Sequence, residues 1–173
     1  MRSVSSTDAG AGEVFVVANV HLDHVSEEAR TYGCQTLTEQ LWFISGGGVL
    51  PTLLLGDFNF LHEKEEGYEY LLSSSSEEKA LSRVGRWRDS YVDVHGTATP
   101  TSERITFHDF GRSDEGLRID YIFYTHGDFE PKDSFIVRDE GKPVWISDHY
   151  PLVSTFVLLD RSDRKHDDGD MKQ

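Results

Sequence analysis

The sequence contains one cysteine, Cys34, so neither an internal disulfide nor a multi-thiolate zinc site is available to it. It has no apolar run near the roughly 18 residues that a membrane helix requires. Residues 1–10 are Ser-rich and polar, without the apolar centre of a secretory signal. Basic residues are also scarce: 17 Lys and Arg stand against 31 Asp and Glu, a formal charge of −14. A body of that sign repels polyanions. Extended nucleic-acid binding, which depends on neutralising phosphates with Lys and Arg, is disfavoured. An intracellular, cytoplasmic setting is the expectation.

What is present suits a globular domain. The 173 residues are 37% hydrophobic and 12% aromatic, enough for one core. Residues 13–159 read as the ordered body, between a disordered N-terminus (1–12) and a disordered tail (160–173). Residues 13–20 read as a strand. Val14-Phe15-Val16-Val17-Ala18 has no polar face, which predicts cover on both sides. A helix follows, with Ser26 as N-cap and Glu27 and Glu28 at the positive end of its dipole. Ala29, Gly33, Leu37, Leu41 and Ile44 form its expected buried stripe, and Gly46-Gly47-Gly48 stops it. Further strands are expected at 52–55, 118–124, 134–138 and 152–159, and helices at 63–72 and 77–84. Strands and helices mixed in this way imply a layered α/β or α+β sandwich.

Four clusters put polar side chains at the edges of apolar strands. They are Asn19-Val20-His21-Leu22-Asp23-His24, Gly56-Asp57-Phe58-Asn59, Arg118-Ile119-Asp120-Tyr121-Ile122-Phe123 and Ser147-Asp148-His149-Tyr150-Pro151-Leu152. A carboxylate in such a setting must be paired, hydrogen-bonded or bound to metal. Taken singly, each cluster has an ordinary reading. Gly-Asp-Phe-Asn suits a turn, His21 a core imidazole, Asp120 a partner for Arg118, Asp148 a cap. The arginines Arg83, Arg86 and Arg88 suit a solvated surface.

Taken together and in this order, the four clusters resemble the endonuclease/exonuclease/phosphatase family, over residues 13–159. Thr106-Phe107-His108 resembles the family's substrate loop. The resemblance implies a deoxyribonuclease I-like fold, of which this chain would form the C-terminal part of a four-layered α-β-β-α sandwich. It also implies Mg²⁺-dependent hydrolysis of a phosphoester, with Mn²⁺ as a substitute ion. His149 would be the catalytic imidazole and Asp120 its orienting acid. Asp57 would orient the attacking water, and His21 would assist at the phosphate or leaving group. Asn59 and His108 would bind substrate, and Asp148 would belong to the metal environment. Phosphoryl hydrolysis needs charge neutralisation and a positioned water, which these residue types supply.

The family's opening Asn-bearing strand and its Gln-Glu motif, source of the principal metal carboxylate, do not precede Asn19. A truncated chain, a missing N-terminal half supplied by another chain, and a reduced pseudoenzyme or interaction fragment are the competing explanations, with truncation preferred. Taken alone, the chain is expected to leave an apolar sheet face uncovered, to bind Mg²⁺ weakly and to turn over little. A metallo-β-lactamase-like zinc hydrolase is the rival enzyme class. His21-Leu22-Asp23-His24 fits its motif, but Asn19 stands where its first histidine belongs. A serine triad is disfavoured further: there is no Gly-x-Ser-x-Gly elbow, and Ser147, Asp148 and His149, being consecutive, cannot converge on a strand.

Overall fold

The computed structural model describes residues 13–73, 87–112, 116–138 and 144–160. The expected helix at 77–84, Arg83 and Arg86, the N-terminal twelve residues and the tail beyond Asp160 lie outside them. The element order is β1 (Val16–His21), α1 (Glu27–Ile44), β2 (Thr52–Asp57), α2 (Glu66–Leu72), β3 (Trp87–Asp89), α3 (Ser90–His95), β4 (Asp120–Thr125), β5 (Phe129–Ile136) and β6 (Leu152–Leu158). Short 3-10 turns occur at Thr101–Glu103 and Asp109–Gly111. Among the described residues, no helix is long and apolar enough to cross a membrane.

Two sheets organise these elements. The first has strand order β1-β2-β4-β3, with β1 parallel to β2 and the remaining pairs antiparallel; the second is the β5-β6 hairpin. The parallel pair is joined by α1, as a crossover requires. Leu54, Phe58, Phe60, Tyr68, Leu71, Trp87, Tyr121 and Phe123 form the buried core between the first sheet and α1 and α2. Several of its rings meet edge to face, as at Phe58–Phe123, 5.0 Å apart at 85°. β5 and β6 touch the first sheet through Tyr124–Phe156, and Phe129 meets Phe15.

Ser26 caps α1 as expected, accepting from Ala29 N at 3.1 Å. The expected stripe is rotated, however. Leu41 is buried, but Ala29 is exposed and Ile44 is 58% exposed; Arg30, Thr31, Cys34 and Thr38 are buried in their place. Periodicity alone cannot place a buried arginine, which is tolerable only because a charge meets it. The Arg30 Nε and Nη2 atoms each bond Glu65 at 2.9 Å, and Nη1 bonds Asp23 O. Glu65 also accepts from Leu61 N at 2.7 Å. Its carboxylate is thereby committed, and α2 begins at Glu66 instead of 63.

Three further expectations are corrected. β5 starts at Phe129, not 134, and accommodates Pro131 at a register shift between Pro131 and Asp133. β3 and α3 were not expected; Asp89 caps α3 through Tyr91 N and Val92 N. β1 is not covered on both sides. It is an edge strand with an alternating exposure pattern: Val17 is 54% exposed, and Val14 and Phe15 just before it are exposed too. Val153 and Val157 on β6 are exposed as well.

Candidate active site

Strand register assembles the first part of the site. His21 ends β1 and pairs with Asp57, which ends β2; Asp57 pairs in turn with Asp120, which starts β4. Three strands thus present one row of polar residues at a single sheet end. The close approach of β1 and β2 depends on Gly56. It has φ +133°, and a Cβ there would lie 2.0 Å from Val20 O. Only a residue without a side chain satisfies both demands.

The fourth member arrives from the other sheet. His149 sits just before β6 and forms an isolated antiparallel bridge with Phe107, whose ring meets the imidazole edge to face at 5.2 Å. The His149 Nδ1 atom lies 2.7 Å from Asp120 Oδ2, and its Nε2 lies 3.9 Å from Asp57 Oδ2. The same Asp57 oxygen is 3.4 Å from His21 Nε2. Asp57 Oδ1 accepts from Asn59 N at 2.9 Å. Asn59 holds a left-handed backbone, φ 54°, and its side-chain amide donates to Leu22 O at 3.0 Å, tying the loops after β1 and β2 together. Asp57, Asp120 and His149 are partly buried, whereas His21 is largely exposed.

These neighbours shift the titrations. The hydrogen bond that His149 donates to Asp120 holds its imidazole above the ordinary histidine range; burial opposes this, and the negative charges of Asp120, Asp57 and Asp148 reinforce it. Burial raises the Asp57 carboxyl, helped by the charge on Asp120 and opposed by Asn59 N. With its second nitrogen left toward Asp57, His149 is oriented to hold or move a proton at Nε2 while Asp120 fixes Nδ1. In the metal-free protein, the His149 ring protons followed by NMR are expected to titrate above about 6.5, and Asp120→Asn is expected to bring that midpoint down. Because the folded value is raised, the pairing adds stability that is complete below about 6.5 and fades as pH rises through the folded midpoint.

Among the described residues, Asp57, Asp120 and His149 are the group of potential metal ligands, with one donor atom from each lying within 4.8 Å of the others. Two carboxylates suit a hard cation that keeps several waters, the habit of Mg²⁺ and Mn²⁺. Asp148 is not in this group. Its Oδ1 faces Ser147 Oγ at 3.4 Å, its carbonyl accepts from His108 N, and its charge reaches the site only through space. His108 is buried. Its ring stacks on Tyr150 at 4.0 Å and lies 4.5 Å from Trp145, and its Nδ1 accepts from Gly111 N.

Arg118 does not pair with Asp120. It is buried over Tyr121 and bonds Asp89 and Glu63, leaving Asp120 free for His149. Asp23 is committed to the backbone of Val25 and Ser26 and His24 is exposed, so the His-x-Asp-His segment does not gather as a zinc site. Sequence reasoning missed the parts that act at a distance: Gly56 as a point of contact, and Arg30–Glu65 as a tie between the loops flanking the site.

Comparison with solved structures gives this geometry a context. An endonuclease/exonuclease/phosphatase from Bacteroides vulgatus matches 80% of the chain at 28% identity and TM-score 0.61, using 48% of its own length. A mannosyl-6-phosphatase from Bacteroides thetaiotaomicron matches 81% at 25% identity and TM-score 0.54, using 50% of its length. The catalytic domain of human Nocturnin, at 21% identity and TM-score 0.64 over 87% of the chain and 50% of its own, shares the fold. The chain spans about half the length of these structures, and its architecture is deoxyribonuclease I-like. No curated protein matches the sequence. A profile of the Endonuclease/Exonuclease/phosphatase family, however, matches residues 2–149, reaching from before β1 to the site histidine. By that match, and by a fold that gathers the four motifs at one sheet end, the chain belongs to the Endonuclease/Exonuclease/phosphatase family.

Proposed function

We propose that the chain carries the reacting groups of a metal-dependent phosphoester hydrolase. The observation that carries this reading is the convergence of Asp57, Asp120 and His149 from two sheets within hydrogen-bonding and metal-binding reach. A divalent ion bound by Asp57 and Asp120 would neutralise charge on the phosphoryl oxygens. His149, with Nδ1 held by Asp120, serves as the proton carrier at Nε2. Asp57 orients the attacking water. His21, exposed beside Asp57, meets the phosphate or the leaving group, and Asn59 ties together the loops after β1 and β2 that carry the site. Asp148 adds negative charge behind the imidazole.

The net charge of −14 favours a small phosphoester over a long nucleic acid. Likeness to a mannosyl-6-phosphatase points the same way. The exposed apolar residues of β1 and β6 favour a partner segment that packs on them and adds a further metal carboxylate.

Hydrolysis of p-nitrophenyl phosphate and bis(p-nitrophenyl) phosphate with Mg²⁺ or Mn²⁺ tests the reading. Turnover is expected to disappear with EDTA, return with either ion, and be lost in Asp57→Asn. Turnover indifferent to EDTA and to Asp57→Asn refutes it, and no turnover with either ion even after a matching N-terminal half is supplied favours an interaction fragment.

A further inference from the structure

We infer that Thr106 is a positioning residue for the His149–Asp120 pair, an inference that rests on the hydrolase reading given above. The two partners come from different sheets. Asp120 opens β4 in the four-stranded sheet, while His149 precedes β6 in the hairpin. Their relative placement needs a physical link. Thr106 is fully buried, and its hydroxyl oxygen accepts from Ile119 N at 3.0 Å and Asp120 N at 3.1 Å. These two amides lie where β4 begins, and the hydroxyl gives them a buried acceptor at that start. The Thr106 carbonyl accepts from Tyr150 N at 2.6 Å, one residue beyond His149. Phe107, next in sequence, bridges His149 through the backbone and packs its ring against the imidazole. Residues 106–107 therefore hold the acid by its backbone on one side and the base by backbone and ring on the other.

Thr106 touches no reacting atom and acts only through Asp120 and His149. Valine has the same shape without the acceptor and would leave the amides of Ile119 and Asp120 unpaired, freeing the start of β4 to shift. Serine keeps the oxygen. A small displacement of a paired acid and base is costly, on the order of 100-fold in rate for about 1 Å.

Thr106→Val, Thr106→Ser and the wild type test this together. Two readouts are taken on folded protein well below each variant's melting temperature. One is kcat and KM on bis(p-nitrophenyl) phosphate with Mn²⁺. The other is the down-field NMR signal of the proton shared by His149 Nδ1 and Asp120, recorded cold and below neutral pH. Positioning predicts that Thr106→Val loses on the order of 100-fold in kcat at unchanged KM and loses or shifts the signal, while Thr106→Ser restores both. A folded Thr106→Val with wild-type kcat and wild-type signal overturns it, even if that variant melts earlier. If the wild type shows the signal but no turnover even with a matching N-terminal half supplied, the hydrolase reading fails separately, and the signal in the two variants still decides the role of Thr106.

Discussion

His149→Ala is expected to lower the metal-dependent hydrolysis of bis(p-nitrophenyl) phosphate by about 10²–10⁴-fold in kcat, the usual contribution of a positioned proton carrier. The expectation rests on Nε2, the imidazole atom directed toward Asp57, 3.9 Å away, while Nδ1 is taken by Asp120 at 2.7 Å. Asp57 is committed on one oxygen to Asn59 N, and His21, though 3.4 Å from the other, lacks the Asp120 contact that fixes the His149 ring. Binding of a phosphate inhibitor should change far less than kcat, because the carboxylates remain. Stability should also change little, since the imidazole is only three-quarters buried and its pairing with Asp120 is partly open to water. A variant that retained wild-type kcat would remove His149 from the chemistry.

A second large effect is expected far from the reacting atoms. Glu65→Ala should cost about 3–5 kcal/mol in a urea denaturation, the range for stripping one partner from a buried ion pair. Arg30 and Glu65 are both almost wholly inaccessible to water, and the bidentate contact leaves Arg30 no alternative acceptor for two of its nitrogens. The loss reaches the site through two threads. Arg30 Nη1 holds Asp23 O just after β1, and Glu65 holds Leu61 N just after Asn59. Replacing both partners together, Arg30→Met with Glu65→Leu, should recover much of the stability, because no uncompensated charge remains. Recovery should be incomplete, since Leu61 N still loses its acceptor. A single variant as stable as the wild type would show that the pair is not what joins α1 to α2.

The reacting groups were readable from sequence because they break a local pattern. Asp120 interrupts an apolar strand, and Asp57 and His149 stand at apolar strand ends; burying such groups is costly, so each signals a partner. The strands that carry them were readable for the same reason, since β-branched and leucine runs mark them. What could not be read lies between residues far apart in the chain. Arg30 finds Glu65 across 35 positions, and this one pairing rotated the buried face of α1 away from the apolar stripe. Arg118 looked like a partner for Asp120 two residues away, but it turns to Asp89 across 29 positions. Pro131 concealed the first half of β5, and the three residues of β3 are too few to show a period. Asp148 shares a motif with His149, yet neighbouring residues in extended backbone face opposite ways, and its side chain stays out of the cluster.

A paramagnetic titration tests most directly whether one ion site joins the two sheets. Substoichiometric Mn²⁺ added to isotope-labelled protein is expected to broaden first the signals of His21, Asp57, Asn59, Asp120 and His149, and Asp57→Asn should weaken that broadening together. Broadening that begins elsewhere on this acidic chain, or that spares His149 while affecting Asp57, would contradict a shared site.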